Sequence, residues 1–146
     1  MYLIDPRTGI EIIERAECLR LLASEVVGRV GVVAGGRPVV LPVNYAMDGE
    51  DVVFRTAEGT KLDAAVRGAP AVFEIDHSDR IYRTGWSVLV SGRAELLTDA
   101  ADLERMRQLP LRPWSAHDPS NWVVIRAEEV TGRRIVHVAP PEALRG

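Results

Sequence analysis

The 146 residues amount to one ordinary domain, long enough to bury a core without covalent staples. Apolar residues make up 47% and charged residues 27%, the balance of a globular chain, and the formal charge of -3 gives no general attraction to nucleic acid or an acidic membrane. No apolar run is long enough to span a bilayer, the start Met1-Tyr2-Leu3-Ile4-Asp5-Pro6 is unlike a secretory signal, and the single Cys18 excludes an internal disulfide framework, so residues 1–146 read as one cytoplasmic domain.

Residues 14–24 have the spacing of an amphipathic helix. Leu19, Leu22 and Val26 fall on one stripe, Glu14 and Arg20 on the solvated side, and Gly28 is placed to stop the helix. The texture then turns to β. A Val-rich strand over 29–34 meets Gly35-Gly36, a pair suited to a tight hairpin, and returns over 37–47. Asp48-Gly49 is a second tight turn, and 51–56 a third strand, so these pieces form an antiparallel meander. Pro42 lacks a backbone donor, which predicts a bulge or an edge at that point.

Thr60 and Asp63 have capping-box spacing for a short helix that stops near Gly68-Ala69-Pro70. Strands follow over 71–76 and 83–97, the second with Trp86, Val88, Val90 and Ala94 alternating against polar residues, and with Gly85 and Gly92 to let it bend. Thr98 or Asp99 caps another helix ending by Pro110. A Pro-rich loop over 111–120 carries Trp114, placed as a lid over a substrate pocket. Strand 122–127, a turn at Thr131-Gly132 and strand 134–138 close the chain. Many antiparallel strands with kinked interiors predict a small closed barrel, mainly β with short flanking helices.

The segment Arg55-Thr56-Ala57-Glu58-Gly59-Thr60-Lys61 is the best candidate for chemistry. It runs from a strand end through a glycine turn into a helix start, which suits a phosphate. Arg55 brings a planar fork, Lys61 a point charge, and Thr56 and Thr60 hydroxyls. Lys61 is the one lysine beside seventeen arginines. A solvated loop with an ordinary Thr cap is the plainer reading of the same residues.

The order and spacing of Arg29-Val-Gly-Val-Val, Arg37-Pro-Val-Val-Leu-Pro-Val-Asn-Tyr45, Val53-Phe-Arg-Thr56, Gly59-Thr-Lys-Leu62 and Thr84-Gly-Trp-Ser-Val-Leu-Val-Ser-Gly-Arg-Ala94 resemble the pyridoxamine 5′-phosphate oxidase-like family. The branch that includes nitroimidazole-resistance reductases is the nearest in pattern. The resemblance implies a six-stranded antiparallel split β-barrel of the FMN-binding type, and a homodimer with FMN in clefts between the subunits. By residue, it implies that Arg55, Thr56, Thr60 and Lys61 contact the FMN phosphate and ribityl chain. Pro42, Val43 and Asn44 would lie beside the isoalloxazine, with Trp86 and Ser87 next to it, and Trp122 would reach the partner's site. The ending Arg133-Arg-Ile-Val-His-Val-Ala-Pro140 does not reproduce the basic substrate-phosphate site of the authentic oxidase, so vitamin B6 is not the expected substrate.

The function expected from this pattern is an FMN-dependent oxidoreductase taking electrons from NADH or NADPH and passing them to a small acceptor such as a nitroaromatic or quinone. Two alternatives stand beside it: an F420-dependent reductase of the same fold, and a non-catalytic flavin carrier or sensor. Other groups point elsewhere less well. Glu74, Asp76, His77 and Asp79 form an acidic cluster, but alternation on a strand turns His77 away from Glu74 and Asp76, poor geometry for one metal ion. His77, His117 and His137 have no neighbours suggesting a catalytic relay or a haem ligand. Cys18, on the first helix, reads as a buried thiol.

Overall fold

The computed structural model describes residues 3–5, 7–111 and 121–136. Its elements are β1 (Leu3–Ile4), β2 (Glu11–Ile13), α1 (Arg15–Ser24), β3 (Val27–Ala34), β4 (Arg37–Asp48), β5 (Asp51–Thr56), α2 (Lys61–Ala65), β6 (Pro70–Asp79), β7 (Thr84–Leu96), α3 (Ala100–Arg107) and β8 (Asn121–Ile135). Six strands in the order β8-β5-β4-β3-β6-β7 close on themselves through a β7–β8 ladder, and the short β1 and β2 extend the sheet from β8. The fold is a mainly β, six-stranded antiparallel barrel with short helices.

Turn chemistry sets the meander. Gly35 and Gly36 take φ values of 58° and 76°, so the β3–β4 hairpin turns at the pair the sequence marks. Alternation then sorts the faces. Val30, Phe54, Phe73, Val88, Val123 and Ile125 point inward with no exposed surface. Helices cover the two ends. α1 packs Cys18, Leu21 and Leu22 into the core, and the Tyr45 hydroxyl donates to the Leu22 carbonyl, tying the barrel to that helix. α2 contributes Val66, just past its end, to the same core. The turn after it is pinned to β7 by Gly68 N–H to the Ala94 carbonyl at 2.9 Å and Ala94 N–H to the Ala69 carbonyl at 2.8 Å. Val53, Leu97, Met106, Trp122 and Val124 form a second core under α3, outside the barrel.

Pro42 lies at an edge. β3 pairs with β4 from Arg37 to Asn44, whereas β5 pairs with it only from Tyr45 to Asp48, so among the described residues β4 has no strand on its other side at Pro42. That divergence of β4 from β5 is the split in the barrel.

Two sequence expectations are corrected. α1 ends at Ser24, and Gly28 lies inside β3 opposite Val43 rather than at the helix end. A Cβ there would stand 2.1 Å from Phe73 Cζ, so glycine is required by the ring it faces. Val26, placed by periodicity on the buried stripe, is 58% exposed, and Cys18 and Leu21 join Leu22 in its stead. The second correction concerns Thr131-Gly132. β8 runs unbroken from Asn121 to Ile135, with its irregularity at Glu128, where Ser91 pairs with Glu129 and Gly92 with Ala127. Gly132 serves packing: a Cβ would sit 2.6 Å from Cys18 Sγ and 3.0 Å from Ile13 Cβ. Both glycines answer to tertiary neighbours, which local turn rules do not register.

Among the described residues, no helix is long and apolar enough to cross a membrane.

Candidate functional site

The corner after β5 is built around one buried carboxylate. Phe54 and Thr56 point inward, and Arg55 outward. Gly59 turns the chain at φ 80°, and Thr60 caps α2 by accepting from Asp63 N–H while its hydroxyl donates to the Ala57 carbonyl at 2.9 Å. Asp63 occupies the capping-box position but reaches further than a box. It accepts from the Thr56 hydroxyl at 2.9 Å, Gly59 N–H at 3.2 Å, Asn121 Nδ2 at 2.7 Å and Arg67 at 3.0 Å. Hydrogen bonds from Asn121 above all, then Arg67, Thr56 and Gly59, hold its carboxyl down at about 2, against the cost of burial. This one side chain therefore joins β5, the glycine turn, α2 and the start of β8.

Arg55 sits on the outer side of the same corner. It is opposite Trp122 on β8, with its guanidinium 4.6 Å from the indole centroid. Trp122 is 7% exposed and packs in the core under α3. It is thus a neighbour of Arg55 in its own chain. Pro42, Val43 and Asn44 occupy the edge of β4 just before Tyr45 pairs with Phe54. They lie across the split from Arg55 and Thr56.

The other candidates are elsewhere. Trp86 and Ser87 lie on β7 opposite Arg134 and Arg133, near the end of β8, while Arg55 and Thr56 pair with its beginning. Within one chain these two groups of predicted flavin contacts do not meet. The side chain of Lys61, the loop with Trp114, and His117 and His137 lie outside the described residues.

The acidic cluster divides as alternation requires. Glu74 and Asp76 share the outer face of β6, and Arg29 of β3 bonds both, at 3.3 and 3.1 Å, while His77 stands by the Trp86 ring at 6.4 Å between centroids. Burial, with Asp76 adding to it, pushes Glu74 up to about 7 against the pull of Arg29. The folded state then keeps a proton that the unfolded chain releases between pH 4.5 and 7, so stability falls as pH rises through that window. Glu74→Gln removes the titration. Its melting temperature is expected to gain on the wild type between pH 5 and pH 8; a constant difference would show that Glu74 titrates normally.

The family model described as pyridoxamine 5′-phosphate oxidase matches residues 14–143. The chain belongs to the pyridoxamine 5′-phosphate oxidase family. An uncharacterized protein of Mycobacterium tuberculosis is 38% identical over 138 residues, 90% of each chain. Among solved structures, an FAD binding protein from Mycobacterium smegmatis is 35% identical with a TM-score of 0.75, the match covering 86% of this chain and 98% of that one. A putative pyridoxamine 5′-phosphate oxidase from Corynebacterium glutamicum is 30% identical with a TM-score of 0.77, covering 90% and 96%. The family match takes in the split, the Arg55–Lys61 corner and the paired strands β7 and β8 together.

Proposed function

We propose that this chain binds a flavin, FMN in the first instance, in the cleft where β4 parts from β5, and uses it to pass electrons from NADH or NADPH to a small acceptor. The observation that carries the reading is the split itself. At Pro42, Val43 and Asn44, β4 is paired with β3 on one side and, among the described residues, has no strand on the other, which leaves an opening beside the strand where a flat ligand can lie. Across the gap, Arg55 and the opening of α2 suit a phosphate, since the N–H groups of Lys61 and Leu62 have no acceptor inside the helix. The donor set fits an anion: the Asp63 carboxylate is already answered by four donors, Arg67 among them. Thr56 and Thr60 have their hydroxyls engaged within the corner, so their part is to fix its shape. The FAD binding protein of M. smegmatis, at 35% identity, supports a flavin as the ligand class.

The redox chemistry belongs to the flavin when bound. The chain's own residues position it, bond its phosphate and exclude water. A homodimer is part of the proposal, because Trp86 and Ser87 can approach a flavin held at the split only from a second subunit. The outer sheet face supports this. Cross-strand rows Val40–Gly31–Val72 and Pro42–Arg29–Glu74–Leu89 leave Val40 67%, Val72 41% and Leu89 39% exposed in one patch.

Titration of flavin-free protein with FMN, FAD and F420 tests the reading. Saturable binding of a flavin at one per subunit is expected, and Lys61→Ala should weaken it by about one to two decades, the value of a charge-assisted contact. Exclusive binding of F420 would move the chemistry to a deazaflavin. Tight flavin binding without faster NADH or NADPH oxidation, across nitroaromatic and quinone acceptors, would make the chain a carrier or sensor. Binding of none of the three would end the proposal.

A further inference from the structure

A groove of about 650 Å³ runs between the β3–β4 turn and the second half of α2, beyond the residues assigned to the flavin. Val33, Ala34 and Gly35 form one wall, Ala64, Ala65 and Ala69 the other, and Arg37 and Arg67 stand in it with no carboxylate among the described lining residues. The volume is that of a small-molecule site. Small side chains make the space, and two guanidinium groups, one of them paired at its base with Asp63, bring N–H donors to it. Arg67 is anchored at one side, bonded to Asp63 at 3.0 Å with half its side chain still exposed. Arg93 donates to the Gly68 carbonyl at 2.6 Å, fixing the turn that carries Ala69. Arg37 is exposed at the start of β4. The groove is therefore built on anchored elements and complementary to a ligand with an apolar body and one or more phosphates.

We propose that this groove takes the adenosine diphosphate portion of a dinucleotide. The position favours that class. α2 separates the groove from the Arg55–Lys61 corner by less than two helical turns, so one extended ligand can run from that corner to Arg37 and Arg67. The location of the flavin end rests on the functional reading above; the groove and its donors do not. Two sources share the chemistry: the adenylate tail of FAD, and the adenosine half of a nicotinamide dinucleotide.

The probe is ADP alone, titrated calorimetrically into wild type and Arg37→Ala, with FMN, FAD and NADPH in parallel. Arg37 is exposed, so the variant is expected to keep the wild-type melting temperature. ADP should bind the wild type, and Arg37→Ala should weaken it about tenfold to a hundredfold while leaving FMN affinity within twofold. If the source is the flavin, FAD binds more tightly than FMN and Arg37→Ala removes that advantage. If it is the donor, FAD and FMN bind equally, and the variant loses affinity for NADPH. Failure of FMN and FAD to bind, with ADP still sensitive to Arg37, would sink the flavin reading and leave the groove. No ADP binding, or equal ADP, FAD and NADPH affinities in the two proteins, would overturn the proposal.

Discussion

Gly92→Ala is expected to cost about 3 kcal/mol or more and to lower the melting temperature by about 10 °C. At this position β7 meets the irregular stretch of β8, and a Cβ would stand 1.9 Å from the Arg126 carbonyl oxygen and 2.9 Å from its carbon. Both atoms are backbone. No rotamer change relieves the clash; the two strands must separate where Gly92 pairs with Ala127. Arg126 is also held there by Asp51 at 3.2 Å and Glu95 at 3.3 Å, and Ala127 N–H donates to Asp51 at 3.0 Å, so movement of β8 disturbs the joint between three strands. Gly35→Ala is the control. Among the described residues nothing lies within 4 Å of its Cβ position, and its cost is only that of φ 58°, about 1 kcal/mol. Thermal melts of the two variants should differ clearly. Equal losses would mean that β7 and β8 yield at the irregularity.

Asp63→Asn is expected to cost about 3 kcal/mol at pH 7 and to weaken flavin binding with it. The wild-type carboxylate accepts from four donors on four segments. An amide keeps one acceptor oxygen and turns N–H groups toward those donors. The pH dependence gives the sign. The Asp63 pKa is lowered from 3.8 to about 2, so its stabilisation is complete above pH 3.8 and is lost as pH falls through the window toward 2. Two units correspond to about 2–3 kcal/mol. The gap between wild type and Asp63→Asn in chemical denaturation should therefore be wide at pH 7 and narrow toward pH 2. A gap that does not change with pH would remove the charge from the explanation. Asp63→Glu, long enough to disturb the geometry while keeping the charge, should recover part of the stability at pH 7.

Much of the barrel is legible in the sequence because its turns are made locally. Gly35-Gly36 and Asp48-Gly49 mark two hairpins, and Thr60 and Asp99 cap the helices they precede. Residues chosen by distant neighbours are not legible in that way. Gly28 answers to Phe73 and Gly132 to Cys18 and Ile13, contacts that no window along the chain contains. The site divides the same way. The Arg55–Lys61 corner is visible as a strand-to-helix turn, and the spacing of Thr60 and Asp63 reveals the cap. That Asp63 also gathers Thr56, Arg67 and Asn121 is invisible, because Asn121 arrives from the far end of the fold. The Arg55–Trp122 contact and the groove at Arg37 depend likewise on strand and helix placement that follows only from closure. Alternation did capture the faces of β6, placing Glu74 and Asp76 together and His77 apart.

The position of β8 has a consequence for how the molecule comes into being. Both of its principal partners, β5 and β7, precede it, and residues as distant in sequence as Val52 and Ile125 must meet before the cylinder shuts. Such non-local pairing makes for slow folding. During synthesis, a nascent chain that has released α3 but not Asn121–Ile135 presents the open edges of β5 and β7 and the apolar interior between them. The ribosome-bound intermediate is thus an aggregation-prone form, and any premature stop before β8 leaves a product that exposes its lining instead of a smaller working barrel.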